Sequence, residues 1–217
     1  MEIGLFLMPL HPPDRLHWET YDEDLALMSY ADQLGFSETW IGEHYTLPWE
    51  NMPCPELFIA GALRVTQQMA FGTGVSLLAY HNPVHIAHRI AMLDHLAKGR
   101  LYFGIGSAGS PLDNEMFGID TDAGSLRDRM LESIDIILKL WEGEPFKYKG
   151  KFFNTTLPEP IPDARLGFHM TPYQKPHPPI AVAGSSPYSG TLELAGERGW
   201  WPMSTLFLHK NWLPSHC

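Results

Sequence analysis

Glu43-His44-Tyr45 sets an imidazole between a carboxylate and a phenol, directly after the short apolar run Thr39-Trp40-Ile41. A histidine at the C-terminal end of a strand in an α/β protein sits where such folds do chemistry. It could serve as a general base near neutral pH. A hydrogen-bonded loop histidine has the same signature. Two other stretches are suited to a phosphate. Gly104-Ile105-Gly106-Ser107-Ala108-Gly109 spells G-x-G-x-x-G, the spacing that brings a backbone against a pyrophosphate, with Ser107 and Ser110 as donors. Gly184-Ser185-Ser186-Pro187-Tyr188-Ser189-Gly190 joins an apolar run to a helical pattern and offers N–H groups and hydroxyls at a helix start. A plain N-cap followed by a helix reads the same way. Neither turn carries a Walker lysine, which disfavours a nucleoside triphosphate. His81, His85, His88 and His95 form a fourth group, and His85 and His88 could share a helix face as metal ligands do. No carboxylate completes a zinc-type motif, so no metal is expected.

The elements that must position these residues alternate. Short apolar strands are predicted at 3–8, 39–41, 69–78 (interrupted by Gly72 and Gly74), 101–105, 180–183 and 200–205. Helical spacing is read over 22–35, 55–66, from Pro83 to Gly99, 125–141 and 191–197. Phe146 to Phe153 reads as a small hairpin, and the proline-dense 154–179 as an extended excursion. Strands that do not alternate suit a parallel sheet covered by helices, either doubly wound or closed as a β/α barrel. In a dinucleotide fold the glycine fingerprint must open a helix at once. Here the next convincing helix is expected only near Ser125, which disfavours that reading.

The totals narrow the class. With 217 residues, 44% of them apolar, the chain can bury a sizeable core. The formal charge of −10 argues against a nucleic-acid surface. Cys54 and Cys217 give no disulfide framework, the first residues lack a signal-peptide pattern, and no apolar run reaches membrane-spanning length. A cytoplasmic location, with neither nucleic acid nor membrane as partner, is expected.

Several segments together resemble the bacterial luciferase-like, flavin-dependent monooxygenases: Glu38 to Tyr45, Phe71-Gly72-Thr73-Gly74-Val75, His81-Asn82-Pro83-Val84, and Met92 through Gly106. A closer likeness, to the limonene monooxygenase-like branch, rests on Ala164-Arg165-Leu166, on Pro172 through Ala183 and on Ser185-Ser186-Pro187. The resemblance implies a TIM-like (β/α) barrel that binds reduced FMN supplied by a separate flavin reductase. It also implies use of O2 on a small hydrophobic substrate such as a terpenoid, and a homodimer. By the same resemblance His44 matches the active-site histidine, and Gly74-Val75 a non-prolyl cis peptide against the isoalloxazine. Gly106 and Ser107 match positions beside the flavin, where luciferases have an arginine in place of Ser107. Gly184, Ser185 and Ser186 match the phosphate turn, with Arg129 or Arg127 adding positive charge. Two alternatives accompany this reading: a deazaflavin-dependent oxidoreductase of the same fold, and a non-catalytic flavin-binding or dimerising fragment. The chain is expected to be one luciferase-like domain over 1–217, with 144–179 as a hairpin and excursion within it. Family members continue past the last residue here, so the barrel is expected to be C-terminally truncated at about six β/α units, with Leu206 to Cys217 beginning another helix.

Overall fold

A computed structural model describes residues 3–107, 110–119, 121, 125–204 and 209–216. Gly109, Thr205, Leu206 and Cys217, on which readings were made above, lie outside the described residues. In chain order the elements are β1 Leu5–Leu7, α1 His17–Gln33, β2 Glu38–Ile41, α2 Pro55–Val65, β3 Ala70–Thr73, β4 Ser76–Leu77, α3 Pro83–Ala97 and β5 Leu101–Gly106. They continue with α4 Pro111–Met116, α5 Ser125–Glu142, β6 Phe146–Lys149, β7 Asn154–Leu157, β8 Ile180–Gly184, α6 Gly190–Arg198 and β9 Trp201–Ser204. Single 3-10 helices occupy Pro162–Ala164 and Lys210–His216. The chain forms two compact units. The first holds residues up to Ser76, Arg100–Gly106, and everything from Pro179 on; the second holds Leu77–Gly99 and Ser107–Pro178.

The first unit is built on a parallel sheet in the order β1-β2-β3-β5-β8-β9. Its central strands are buried along their length, with Ile41, Phe71, Leu101, Phe103, Ile105 and Val182 shut off from solvent. This is why they read as continuous apolar runs without alternation. Two glycines let neighbouring strands close up. A Cβ on Gly72 would lie 2.3 Å from the Trp40 ring, and one on Gly104 would lie 2.0 Å from the Thr73 carbonyl oxygen. The Thr73 hydroxyl donates to the Gly104 carbonyl at 2.8 Å across the same contact. Gly104, part of the apparent nucleotide fingerprint, is therefore required by packing.

Asp32, buried at the end of α1, ties down the segment that leads into β3. Its carboxylate accepts the backbone N–H groups of Gln67 (2.8 Å), Gln68 (3.1 Å) and Met69 (2.7 Å). Burial pushes this carboxyl up, but the three N–H donors and the nearby Arg100 together hold it below the usual carboxylate range.

In the second unit α3 and α5 pack together, and the Trp141 indole N–H donates to the Ala87 carbonyl at 3.0 Å. Two carboxylates fasten loops here as Asp32 does in the first. Asp94 accepts from the backbone and the side-chain amide of Gln174, each at 2.8 Å. Glu132 accepts the N–H groups of Lys151, Phe152 and Phe153 in the turn between β6 and β7.

Four boundaries differ from the sequence reading. The first helix begins at His17, not Asp22, because its buried stripe is partly polar: Thr20 and Asp24 precede Met28 and Ala31 on it. The run 69–78 is two strands, β3 and β4, separated at Gly74-Val75. The hairpin extends to Leu157, so β7 takes the first residues assigned to the excursion. A short helix, α4, follows the glycine-rich segment where none was expected. Its signals are local: Pro111 opens it, and Ser110 and Asp113 form a capping box with both reciprocal bonds made. Its six residues, starting after Ser110, are not the long helix that opens at once in a dinucleotide site.

Two measurements check this packing. Gly104→Ala is expected to cost more than about 3 kcal/mol, because the clash is with backbone, read as a lowered urea midpoint or loss of soluble protein. A folded-state carboxyl held below its unfolded value stabilises above the unfolded value and loses that contribution as pH falls through the folded one. Asp32→Asn should therefore destabilise the protein at pH 7, and the difference in urea midpoint from wild type should shrink below about pH 4.

Candidate active site

The C-terminal ends of β2, β3, β5 and β8 lie along one edge of the parallel sheet. Most of the residues singled out above fall there. Gly42, Glu43 and His44 follow β2, Gly74 and Val75 follow β3, Gly106 ends β5 and Gly184 ends β8. All of these belong to the first unit. The Gly74-Val75 peptide is cis. Gly74 donates its N–H to the Ile41 carbonyl at 2.6 Å, and a Cβ here would stand 3.0 Å from the Trp40 side chain and 3.1 Å from the Phe6 ring. On Gly42, a Cβ would fall 2.6 Å from the Met8 sulfur.

The three side chains of the Glu43-His44-Tyr45 stretch do different things. Glu43 is buried and accepts the Tyr45 hydroxyl at 2.5 Å. Burial, with the Glu43 carboxylate beside it, pushes the Tyr45 phenol far above its ordinary value, so Tyr45 stays a protonated donor. His44 turns the other way. Its Nε2 stands 2.7 Å from Glu50 Oε2, while its Nδ1 is buried with no hydrogen-bond partner. The loop folds back to bring Glu50 there: His44 N–H donates to the Met52 carbonyl at 3.0 Å, and Leu10 and Glu50 form an isolated antiparallel bridge.

A second polar cluster braces that loop from the β1 side. His11 lies 3.3 Å from both Asp24 Oδ1 and Asn51 Oδ1, and its backbone N–H donates to the Trp49 carbonyl. The Tyr21 hydroxyl donates to the Asn51 carbonyl, and Asn51 Nδ2 to the Thr20 hydroxyl. Glu50, His11 and Asn51 were missed from sequence. No spacing rule links them to His44, and their partners come from a neighbouring strand's loop.

At the end of β8 the turn Ser185 to Tyr188 is exposed and leads into α6. Ser189, the N-cap, accepts no backbone N–H of the first turn with its side chain; its hydroxyl pairs with that of Thr191 at 2.8 Å. Gly184 is glycine because α6 presses on it: a Cβ would meet the Leu192 side chain at 2.5 Å. The Lys210–His216 helix touches the same turn. Ser215 Oγ accepts the Tyr188 N–H at 3.2 Å, and His216 Nε2 lies 2.8 Å from the Ser186 carbonyl.

Ser107 and Arg129 belong to the second unit. Arg129 Nε donates to the Ala79 carbonyl at 2.7 Å, and its guanidinium lies over the Phe153 ring at 4.7 Å. Burial pulls its pKa down. Three of the four histidines of the candidate metal group make separate contacts: His81 with Arg89, His88 with the Val84 carbonyl and the His169 ring, and His95 with the Thr171 carbonyl. Among the described residues no group of three or more His, Cys, Asp or Glu side chains could hold a metal ion. Nor is any helix among them long and apolar enough to cross a membrane.

The profile of the luciferase-like monooxygenase family matches residues 1–211. The chain belongs to that family. Its relatives include 2,5-diketocamphane 1,2-monooxygenase 1 of Pseudomonas putida, 36% identical over 208 residues, covering 94% of this chain and 57% of that protein. Limonene 1,2-monooxygenase of Rhodococcus erythropolis is 38% identical over 200 residues, covering 92% of this chain and 48% of that protein. Among solved structures, the oxygenating constituent of 3,6-diketocamphane monooxygenase from Pseudomonas putida, in complex with FMN, superposes with a TM-score of 0.88. It is 34% identical and covers 94% of this chain and 57% of its own. The chain thus spans about half the length of the luciferase-like relatives it matches. The expected fold class holds: the six parallel strands of the first unit are part of a luciferase-like (β/α) barrel, with β1 and β9 at the open ends of the strand order.

The Glu43–Tyr45 pair can be checked by ultraviolet titration. Tyr45→Phe is expected to leave the phenolate absorbance curve unchanged up to pH 11, because Tyr45 contributes nothing to it in that range.

Proposed function

We propose that this chain carries the FMN-holding and proton-handling part of a luciferase-like monooxygenase that oxygenates a small hydrophobic molecule of terpenoid type. The observation that carries the reading is His44: it stands at the C-terminal end of β2 with a buried, unpartnered Nδ1, in a chain matched to the family over residues 1–211. An unpaired ring nitrogen in a buried position is available to exchange a proton with a bound group.

The residues present suit FMN. The start of α6 lacks a side-chain cap and is preceded by the exposed Ser185 and Ser186, whose hydroxyls stand next to a helix N-terminus, where the dipole would stabilise a phosphate dianion. Gly74, Val75 and Gly106 would take the flavin ring, since two of the three positions have no side chain to keep it off the backbone. Bound in reduced form, FMN supplies the two electrons that activate O2. His44 would hold or accept the proton at Nδ1, and buried Glu43 keeps Tyr45 a donor. The reading rests on the first unit; Ser107 and Arg129, in the second, carry no part of it.

A separate reductase would deliver the reduced flavin, in line with the description of the solved relative as an oxygenating constituent. The reading takes residues 1–217 as one luciferase-like domain of a homodimeric, cytoplasmic enzyme.

Flavin binding tests the reading. Quenching of flavin fluorescence should show FMN held about tenfold tighter than riboflavin, a difference of about 1.4 kcal/mol from the phosphate. Ser186→Asp should erase that preference and leave riboflavin binding unchanged. Absence of flavin binding, or equal binding of the two flavins by the wild type, overturns the reading.

A further inference from the structure

Glu50, to which no role has been given, sets a carboxylate against His44. Its side chain is 17% exposed and that of His44 19%, and the two meet at 2.7 Å between Oε2 and Nε2. The oxygen meets the ring away from the in-plane axis of Nε2, and Glu50 Oε2 has no hydrogen-bond partner. Charge alone acts here: a carboxylate beside Nε2 favours the tautomer that carries the proton on that nitrogen. The other nitrogen, Nδ1, is left as the bare acceptor.

The position of Glu50 is built into the fold. Its backbone bridges Leu10, the preceding Trp49 carbonyl accepts the His11 N–H at 2.8 Å, and Asn51 is clasped by Tyr21 and Thr20. Met52, two residues on, accepts the His44 N–H itself. The loop therefore holds the backbone of the histidine with one residue and its ring with another.

We propose that Glu50 is a positioning residue that fixes the His44 tautomer, keeping the proton on Nε2 so that Nδ1 is the nitrogen that receives a proton in the reaction. The proposal deepens the role given to His44 above and rests on it for its catalytic meaning. The tautomer itself is a property of the chain without any flavin.

Nitrogen-15 spectra of the histidine side chains at pH 8.5, above the ordinary histidine range near 6.5, read that property directly. The signals of His44 are assigned by their loss in His44→Gln. The wild type is expected to show a one-bond cross-peak from Nε2–H, slowed in exchange, and a bare, pyridine-like Nδ1. Glu50→Ala and the uncharged Glu50→Gln should both lose the slowed Nε2–H cross-peak, because each removes the carboxylate charge. Backbone amide spectra of Leu10 and His11 report whether the loop stays folded in each variant. A proton on Nδ1 in the wild type, or an Nε2–H cross-peak that survives Glu50→Ala unchanged with the loop folded, overturns the proposal. If the tautomer is as stated but FMN does not bind, the proposal stands and the flavin reading fails.

Discussion

The contact between Thr73 and Gly104 sets the spacing at the middle of the parallel sheet. The Thr73 carbonyl occupies the space a Cβ on residue 104 would need, and the Thr73 hydroxyl bonds the Gly104 carbonyl. With β3 and β5 drawn this close, Gly74 emerges from one strand and Gly106 ends its neighbour. Gly72 does the same for β2 and β3 by making room for Trp40. The candidate site is the edge that results when these strands stop together, and its glycines serve packing first.

Loops in both units are fixed by one repeated device. A buried carboxylate on a helix accepts N–H groups from a distant segment: Asp32 from the backbone of residues 67–69, Asp94 from the backbone and side chain of Gln174, and Glu132 from the backbone of residues 151–153. Each satisfies donors that would otherwise be buried without partners, which is costly. Glu50 is used differently. It points at a side chain and is itself held by backbone contacts, the arrangement suited to setting a proton rather than a loop.

Much of the architecture was legible in the residues. The order of strands and helices followed from apolar runs and helical spacing, because parallel strands buried on both faces leave that pattern. The start of α1 was hidden because Thr20 and Asp24 occupy its buried stripe. The break between β3 and β4 looked like a single interrupted run, since residues 69 to 78 are apolar throughout apart from glycine, threonine and serine. The helix α4 could have been found from Ser110, Pro111 and Asp113. The position of His44 at a strand end was readable, but its pairing with Glu50 was not. That contact depends on how the eight residues between Glu43 and Met52 fold back, which local spacing does not encode.

The strand order also sets the terms on which the chain folds. The neighbours along the order β1-β2-β3-β5-β8-β9 are all parallel, so none of these pairs can form through a tight hairpin. The pairing of β5 with β8 is the extreme case, because all the residues from Ser107 to Pro178 must be looped out before Phe103 can meet Ile180. Loop-closure entropy is spent ahead of the contacts that repay it, so topology favours slow folding. Until β8 arrives, the apolar edge of β5 is open to pairing with another chain.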